Sequence, residues 1–388
     1  YAPFWSAGAG WNVHNEKFFK HTKISMLKLR YSYGVTGNQE FSAYQAKTMF
    51  QFNTDRLYNS GISAALMGYG NPDLEWQNQY QSNYGFDFGY AKDRIRLQFN
   101  YYQKKTEGML TSVSVAPSLG LPSNTFTSNL GKIQNKGVEV NLNAVLIRDQ
   151  GKDFEWSVML QAAHNKNKIM EISTALKNIN EKNNQDKTTP AAVYEEGESM
   201  SAIKAVPSLG IDPTTGQELF MKKDGTITYT WDATDKVICG DSEPKVFGNV
   251  GTNLYWKGWN LNMVFKYDLG ADYYNSTLAE RVEGANPRYN ADRRVLNNRW
   301  KEPGQHALYK NIKEYTTTYI SSRFVQKENT LQLTSLSLSY DLNRKFGLNT
   351  MRLSFYMNDV FRASTVKNER GLDYPFQRSF VFGLNIGF

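Results

Sequence analysis

From residue 380 onward every second side chain is large and apolar: Phe380, Phe382, Leu384, Ile386 and Phe388. Between them sit Val381, Gly383, Asn385 and Gly387, mostly small or polar. A period of two means a β-strand with one apolar face and one lean face. Such a strand must bury its apolar face against something, and that requirement constrains the fold more than any other feature.

The same alternation recurs along the chain. Leu27, Leu29, Tyr31, Tyr33 and Val35 alternate with Lys28, Arg30, Ser32 and Gly34. Tyr84, Phe86, Phe88 and Tyr90 alternate with Asn83, Gly85, Asp87 and Gly89. A three-residue turn, Ala91–Asp93, leads into Ile95, Leu97, Phe99 and Tyr101, set against Arg94, Arg96, Gln98 and Asn100. Two alternating runs joined so tightly predict an antiparallel hairpin. Three more pairs follow. Val138–Ala144 leads through Arg148–Asp153 to Phe154–Leu160, Val250–Trp256 turns at Lys257-Gly258 into Trp259–Tyr267, and Leu336–Leu342 turns into Met351–Met357. With the weaker stretches included, about a dozen strands are expected, several near the ten residues that a tilted strand needs to cross a bilayer.

The connections are lopsided. Those turns are short, whereas Asn165–Lys245 and Leu269–Arg323 are long, polar and rich in Gly, Pro, Asn and Asp. Short turns at one rim and long loops at the other describe an antiparallel transmembrane β-barrel. A soluble β-sandwich also alternates. Its strands are usually shorter, however, and the lean faces here carry Arg, Asn, Gln and Asp together, as in Arg94–Asn100. The barrel is the preferred reading, with the lean face lining a wet lumen.

Composition agrees with this. Only 21% of the 388 residues are charged, yet mean hydropathy is −0.57, so the polarity comes from uncharged side chains. The 24 Tyr and 22 Phe suit the aromatic girdles of a barrel. A single cysteine, Cys239, rules out an internal disulfide framework. No apolar run approaches the ~18 residues of a membrane helix. The net charge of +8 is scattered, fits anionic lipid headgroups as well as nucleic acid, and decides nothing alone.

Several blocks then resemble one family in one order: LKLRYSYGVTGNQEFSAYQA (27–46), NPDLEWQNQYQSNYGFDFGY (71–90), NLGKIQNKGVEVNLNA (129–144), GIDPTTGQELFMKKDGTITYTW (210–231), Arg299–Gly304 and SRFVQKENTLQLTSLSLSYDL (322–342). Together they look like the barrel of SusC/RagA-type TonB-dependent outer-membrane transporters, nearly end to end. The resemblance implies a large barrel of the cell outer membrane that imports nutrients too big for diffusion, oligosaccharides or peptides. In that family a SusD-like lipoprotein caps the outer side and binds ligand. A plug domain blocks the lumen, and a TonB box couples the barrel to an energised inner-membrane complex. Plugged transporters of this kind have 22 strands. This chain carries no plug, no TonB box and too few strands, so residues 1–388 resemble the C-terminal part of the barrel.

Candidate chemistry is thin, and no enzymatic activity is expected. His14, His21, His164 and His306 follow no ligand spacing, and one cysteine makes zinc improbable. Asp212–Glu218 spaces oxygen atoms somewhat like a calcium loop but lacks the acidic series and the closing bidentate Glu, so a turn between two loop strands is expected. No nucleotide-binding fingerprint occurs, and no cofactor or nucleic-acid partner is expected. Tyr229, Trp231, Tyr273, Tyr274, Tyr289 and Trp300 lie in the long loops. Their rings could stack on sugars, but packing of loop against loop and against the lipoprotein is favoured, so no ligand-binding residue is named. A passive porin and an outer-membrane hydrolase are the rival functions.

Three structural expectations follow. The alternating apolar residues of the last strand face lipid, and Asn385 faces the lumen. The loops 173–244 and 271–319 share one side, opposite Ala91–Asp93 and Lys257-Gly258. The last strand pairs with Met351–Asn358 and not with Tyr1–Val13, so the sheet does not close on itself.

Overall fold

The computed structural model describes residues 4–387 except 20–22, 39–45, 60, 69, 72–73, 115–124, 130, 189, 287, 314–315, 343–349 and 368–376. Phe388 and His21 lie outside the described residues. Eleven strands form one antiparallel sheet: β1 (Trp5–Asn12), β2 (Ile24–Asn38), β3 (Gln77–Tyr90), β4 (Ile95–Glu107), β5 (Lys132–Asp149), β6 (Phe154–Glu171), β7 (Val246–Trp256), β8 (Trp259–Tyr274), β9 (Val325–Asp341), β10 (Thr350–Ser364) and β11 (Phe380–Gly387). Among the described residues each pairs with its neighbours in sequence order, the meander of an up-and-down barrel wall.

Cross-strand register shows why the wall holds together. Phe382, Phe355, Leu338, Leu261, Leu254 and Trp156 stand opposite one another in a single row from β11 to β6. On the other half of the sheet Trp11, Leu29, Phe86, Phe99 and Val140 do the same. These rows make one face apolar across all eleven strands. Phe382 is 75% exposed although it is the kind of side chain a water-soluble fold buries. In a transmembrane barrel that face meets lipid. Asn385 stands opposite Arg352 on the other face, and Arg352 opposite Asp341, so the last strand divides its apolar and polar residues between two faces as the alternation predicts.

Turn chemistry follows the sequence. Lys257 (φ 46°) and Gly258 (φ 89°) are both left-handed, as a two-residue hairpin turn between right-twisted strands requires. At Ala91, Lys92 and Asp93 three successive non-glycine residues are left-handed, a costly conformation. Ser25 Oγ donates to Asp93 Oδ1 at 2.7 Å, Arg96 Nη2 donates to Asp93 Oδ2 at 2.8 Å, and the Ala91 amide donates to the Lys23 carbonyl. Those bonds offset the strain.

The connections 91–94, 150–153 and 257–258 share one rim with the strand ends Asn12, Ile24, Asp341 and Thr350. The connections 172–245 and 275–324 leave the sheet at the other, together with the strand ends Asn38, Gln77, Glu107, Lys132, Ser364 and Phe380, as expected for outer loops. Strand parity survives the weak stretch near Ala46–Gly61, because Met49–Tyr58 and Gly61–Gly68 form a separate hairpin and add an even number. Several strands overrun the ranges read from sequence. β6 continues past Asn165 to Glu171 and β8 past Leu269 to Tyr274, while β9 begins at Val325 and the β5–β6 turn narrows to 150–153. Beyond the lipid both faces of a strand are wet, so the alternation that marks it fades while its ladder continues.

The sheet is open. Among the described residues β1 and β11 each have a ladder partner on one side only, and they do not pair with each other. The long outer loops 172–245 and 275–324 build a lobe with its own core, where Val206, Val282, Ile320, Ser321 and Phe324 are fully buried.

Candidate functional site

The inner face of the barrel wall is tied by polar pairs. Arg30 reaches Asp87 through two bonds, Nε to Oδ2 at 2.9 Å and Nη2 to Oδ1 at 2.7 Å, and Nη2 also donates to Asn100 Oδ1 at 2.9 Å. Alternation on three neighbouring strands puts these residues on one face. Gly85 lies between them, where a Cβ would stand 2.6 Å from Asn100 Oδ1 and 3.0 Å from Arg30 Nη2. The absent side chain is what lets the guanidinium cross the strand. Arg148–Glu155, Arg352–Asp341 and Arg362–Glu328 repeat the cross-strand pattern. Such a wall is hydrophilic and nearly neutral in each pair, suited to passage of polar solutes.

The outer lobe is organised by a buried ionic centre that the sequence did not reveal. Arg323, just before β9, donates Nε and Nη2 to Glu218 at 3.1 and 2.8 Å, and Nη1 and Nη2 to Glu283 at 2.5 and 2.8 Å. The Glu218 and Glu283 side chains are almost wholly buried. Glu218 comes from one long loop and Glu283 from the other, so a single guanidinium clamps the two together. Burial alone would lower the Arg323 pKa, but the bonds to Glu283 and Glu218 outweigh it and hold it above the ordinary range. Arg299 is also buried and donates to the carbonyls of Val295, Lys310, Val282 and Glu283. Its neighbour Trp300 donates Nε1 to the Pro213 carbonyl at 2.8 Å, a second bridge between the loops. Nothing in the pattern of a loop marks an arginine as interior; only the surroundings do.

The loop aromatics divide clearly. Trp231 stacks on Tyr319 with centroids 5.2 Å apart and donates to the Ile320 carbonyl. Trp300 lies against Gly216, Tyr274 packs edge-on to Phe324, and the Tyr229 hydroxyl donates to Asp212 Oδ2 at 2.5 Å. Four of the six candidates are thus held by packing or hydrogen bonds within the lobe. Tyr273 stands opposite Gln326 in the β8–β9 ladder, and Tyr289 is exposed. Gln217, Glu218, Phe220, Tyr229, Lys310 and Tyr319 line a cavity of about 240 Å³, with Thr316 and Thr317. Its hydroxyls, amide and charges suit a polar, hydrogen-bonding ligand better than an apolar one.

The segment Asp212–Glu218 is a turn between the strands Ser208–Ile211 and Glu218–Met221. Asp212 accepts from the Thr214 amide, Thr215 Oγ1 and Tyr229, while Glu218 is held by Arg323. The bonds to Asp212 hold the Asp212 carboxyl below the usual carboxylate range, the Tyr229 hydroxyl foremost. Among the described residues no group of His, Cys, Asp and Glu could hold a metal ion. His14 and His164 each meet a backbone carbonyl, of Leu27 and Lys245. His306 is exposed.

An apolar outer face, a paired polar inner face and long loops on one rim describe a transmembrane β-barrel wall. Residues 2–360 match the family model for the TonB dependent receptor-like β-barrel. The chain belongs to this family. Among TonB-dependent receptors it is similar to TonB-dependent receptor P3 of Formosa agariphila, 27% identical over 100% of this chain and 42% of that protein. It is similar also to TonB-dependent receptor SusC of Bacteroides thetaiotaomicron, 22% identical over 99% of this chain and 40% of that one. The chain spans about two fifths of the length of the curated relatives it matches. Its fold is that of the RagAB peptide importer in the closed-closed state, with a TM-score of 0.81 at 21% identity over 99% of this chain and 43% of that one. The RagAB peptide transporter superposes with a TM-score of 0.79 at 22% identity, covering 94% and 40%. The TonB-dependent receptor barrel therefore supplies the wall described above.

Proposed function

We propose that this chain is the C-terminal section of an outer-membrane transporter that imports oligosaccharides or peptides with energy delivered through TonB. The observation that carries the reading is the open eleven-strand wall, apolar outside and ion-paired inside, in a chain of the TonB-dependent receptor family. A plug and a TonB box belong to the remainder of such a transporter, and its barrel strands complete the ladder along β1 and β11, since an unpaired edge in lipid leaves costly N–H and C=O groups. The clamped outer lobe is where a SusD-like surface lipoprotein would rest, with ligand passing between it and the lumen. The work is conformational and involves no covalent chemistry.

Uptake of defined glycans and peptides by cells with and without the gene tests the substrate class. Active import requires that uptake collapse when TonB is deleted or the proton gradient is dissipated. Uptake that survives both treatments belongs to a passive porin and refutes the proposal.

A further inference from the structure

The lipid-facing surface contains one depression whose shape follows from side-chain size. Two adjacent rows cross β8 to β11 near the short-turn rim. The lower runs Trp259, Tyr340, Leu353, Leu384, and the upper runs Leu261, Leu338, Phe355, Phe382. Rings occupy β8 and β9 in the lower row but β10 and β11 in the upper, so large and small side chains trade places diagonally. The Trp259 and Tyr340 rings lie 4.6 Å apart, and those of Phe355 and Phe382 lie 5.1 Å apart. Between the two ring pairs Leu338, Leu353 and Leu384 leave a groove of about 390 Å³ with an almost wholly apolar lining.

The groove is continuous with the apolar face that meets lipid, and hydrocarbon is the medium that reaches it. A flexible unbranched chain fills such a slot with many close contacts to ring faces, each small and together large. A cation stands at the same rim, in the turn that leads into Trp259 and one strand beyond the groove. Trp256 is the cross-strand partner of Trp259, and the Lys257 ammonium lies 5.9 Å from the centre of the Trp256 ring. A lysine at a barrel rim reaches toward headgroup level while its stem stays against apolar surface. We propose that this groove is a specific seat for one acyl chain of a phospholipid of the short-turn leaflet, with the lipid phosphate met by Lys257. This binding differs from the general lipid annulus in being retained when bulk lipid is removed. It rests on the membrane-facing surface of the barrel and is independent of what the barrel imports.

The test uses the complete transporter purified in mild detergent, with bound lipid counted by native mass spectrometry through successive detergent exchanges. Phosphatidylglycerol and a diacylglycerol with the same chains are then offered as probes. The wild type is expected to retain one phospholipid per polypeptide and to prefer phosphatidylglycerol. Leu353→Trp, which fills the slot from its centre, is expected to lower retention of both probes at least tenfold. Leu353→Phe serves as a milder filler should the tryptophan variant fail to assemble. Lys257→Asn, chosen because asparagine tolerates the left-handed conformation, is expected to abolish the preference while diacylglycerol binding persists. Equal retention by wild type and filler variants overturns the proposal. So does a change from dimer to monomer in Leu353→Trp without loss of lipid, which would make the groove a contact between copies.

Discussion

Replacing Arg323 with alanine should release the outer lobe while leaving the barrel intact. Among the described residues the guanidinium is the one ion-pair partner of the buried Glu218 carboxylate and the nearer of two for Glu283, whose other contact, Lys310 Nζ, lies 3.8 Å away. Removing one member of a buried pair strands the other and costs about 3–5 kcal/mol. At 1.36 kcal/mol per tenfold, this raises the opening constant of the lobe by roughly two to nearly four orders of magnitude. Limited proteolysis and amide exchange over 172–245 and 275–324 read that opening directly, with β9 and β10 as internal controls. The reasoning also predicts a rescue. Replacing the three charged groups together, Arg323→Met with Glu218→Gln and Glu283→Gln, should recover most of the protection, since the cost lies in the stranded charge. Unchanged exchange in Arg323→Ala would refute the clamp, and a triple variant as labile as the single one would refute the electrostatic account of it.

The other predictions are narrower. Phe382→Arg should destabilise the barrel by about 2–4 kcal/mol if its row lies near mid-bilayer, whereas Val381→Arg, facing inward, should cost far less; equal costs in lipid-vesicle refolding would reverse the assigned faces. Gly137→Val should cost about 1–3 kcal/mol by overpacking, because a Cβ there would lie 2.4 Å from the Tyr102 ring and 2.6 Å from the His164 carbonyl, and thermal unfolding measures it. Asp212, Asp224 and Asp232 are each held below the usual carboxylate pKa, by hydroxyls of Tyr229, Thr226 and Thr234 first and by backbone amides next. Depressed carboxylates stabilise above the unfolded value near about 4 and lose that stability as pH falls through the folded values. Amide protection over 208–235, taken relative to the intrinsic exchange rate at each pH, should therefore fall only below about pH 4, and a segment equally protected at neutral and strongly acid pH would count against these caps.

The chain's own pattern determined the wall. Alternation at Phe380–Ile386, Tyr84–Tyr90 and Trp259–Tyr267 named strands, faces and hairpin partners, because a strand in lipid must repeat its apolar residue every second position for as long as the lipid lasts. Lys257-Gly258 marked its turn for an equally local reason. The lopsided lengths of the connections placed the loops on one side. What lies outside the lipid was decided only by tertiary structure. The strand extensions 166–171 and 325–335 and the fully buried Ile320 and Phe324 carry no period that separates wet from dry. Arg323 and Arg299 read as ordinary loop cations, yet they are interior because Glu218, Glu283 and a ring of carbonyls, far apart in the chain, converge on them. The loop aromatics show the same division: composition announced that rings were present, but whether Trp231 packs on Tyr319 or Tyr289 stands exposed depended on which surfaces the folded lobe brought together. Local geometry can be read along a chain because its repeat is imposed by the backbone and the solvent. Convergence cannot, because it depends on contacts between residues whose separation in sequence says nothing about their distance in space.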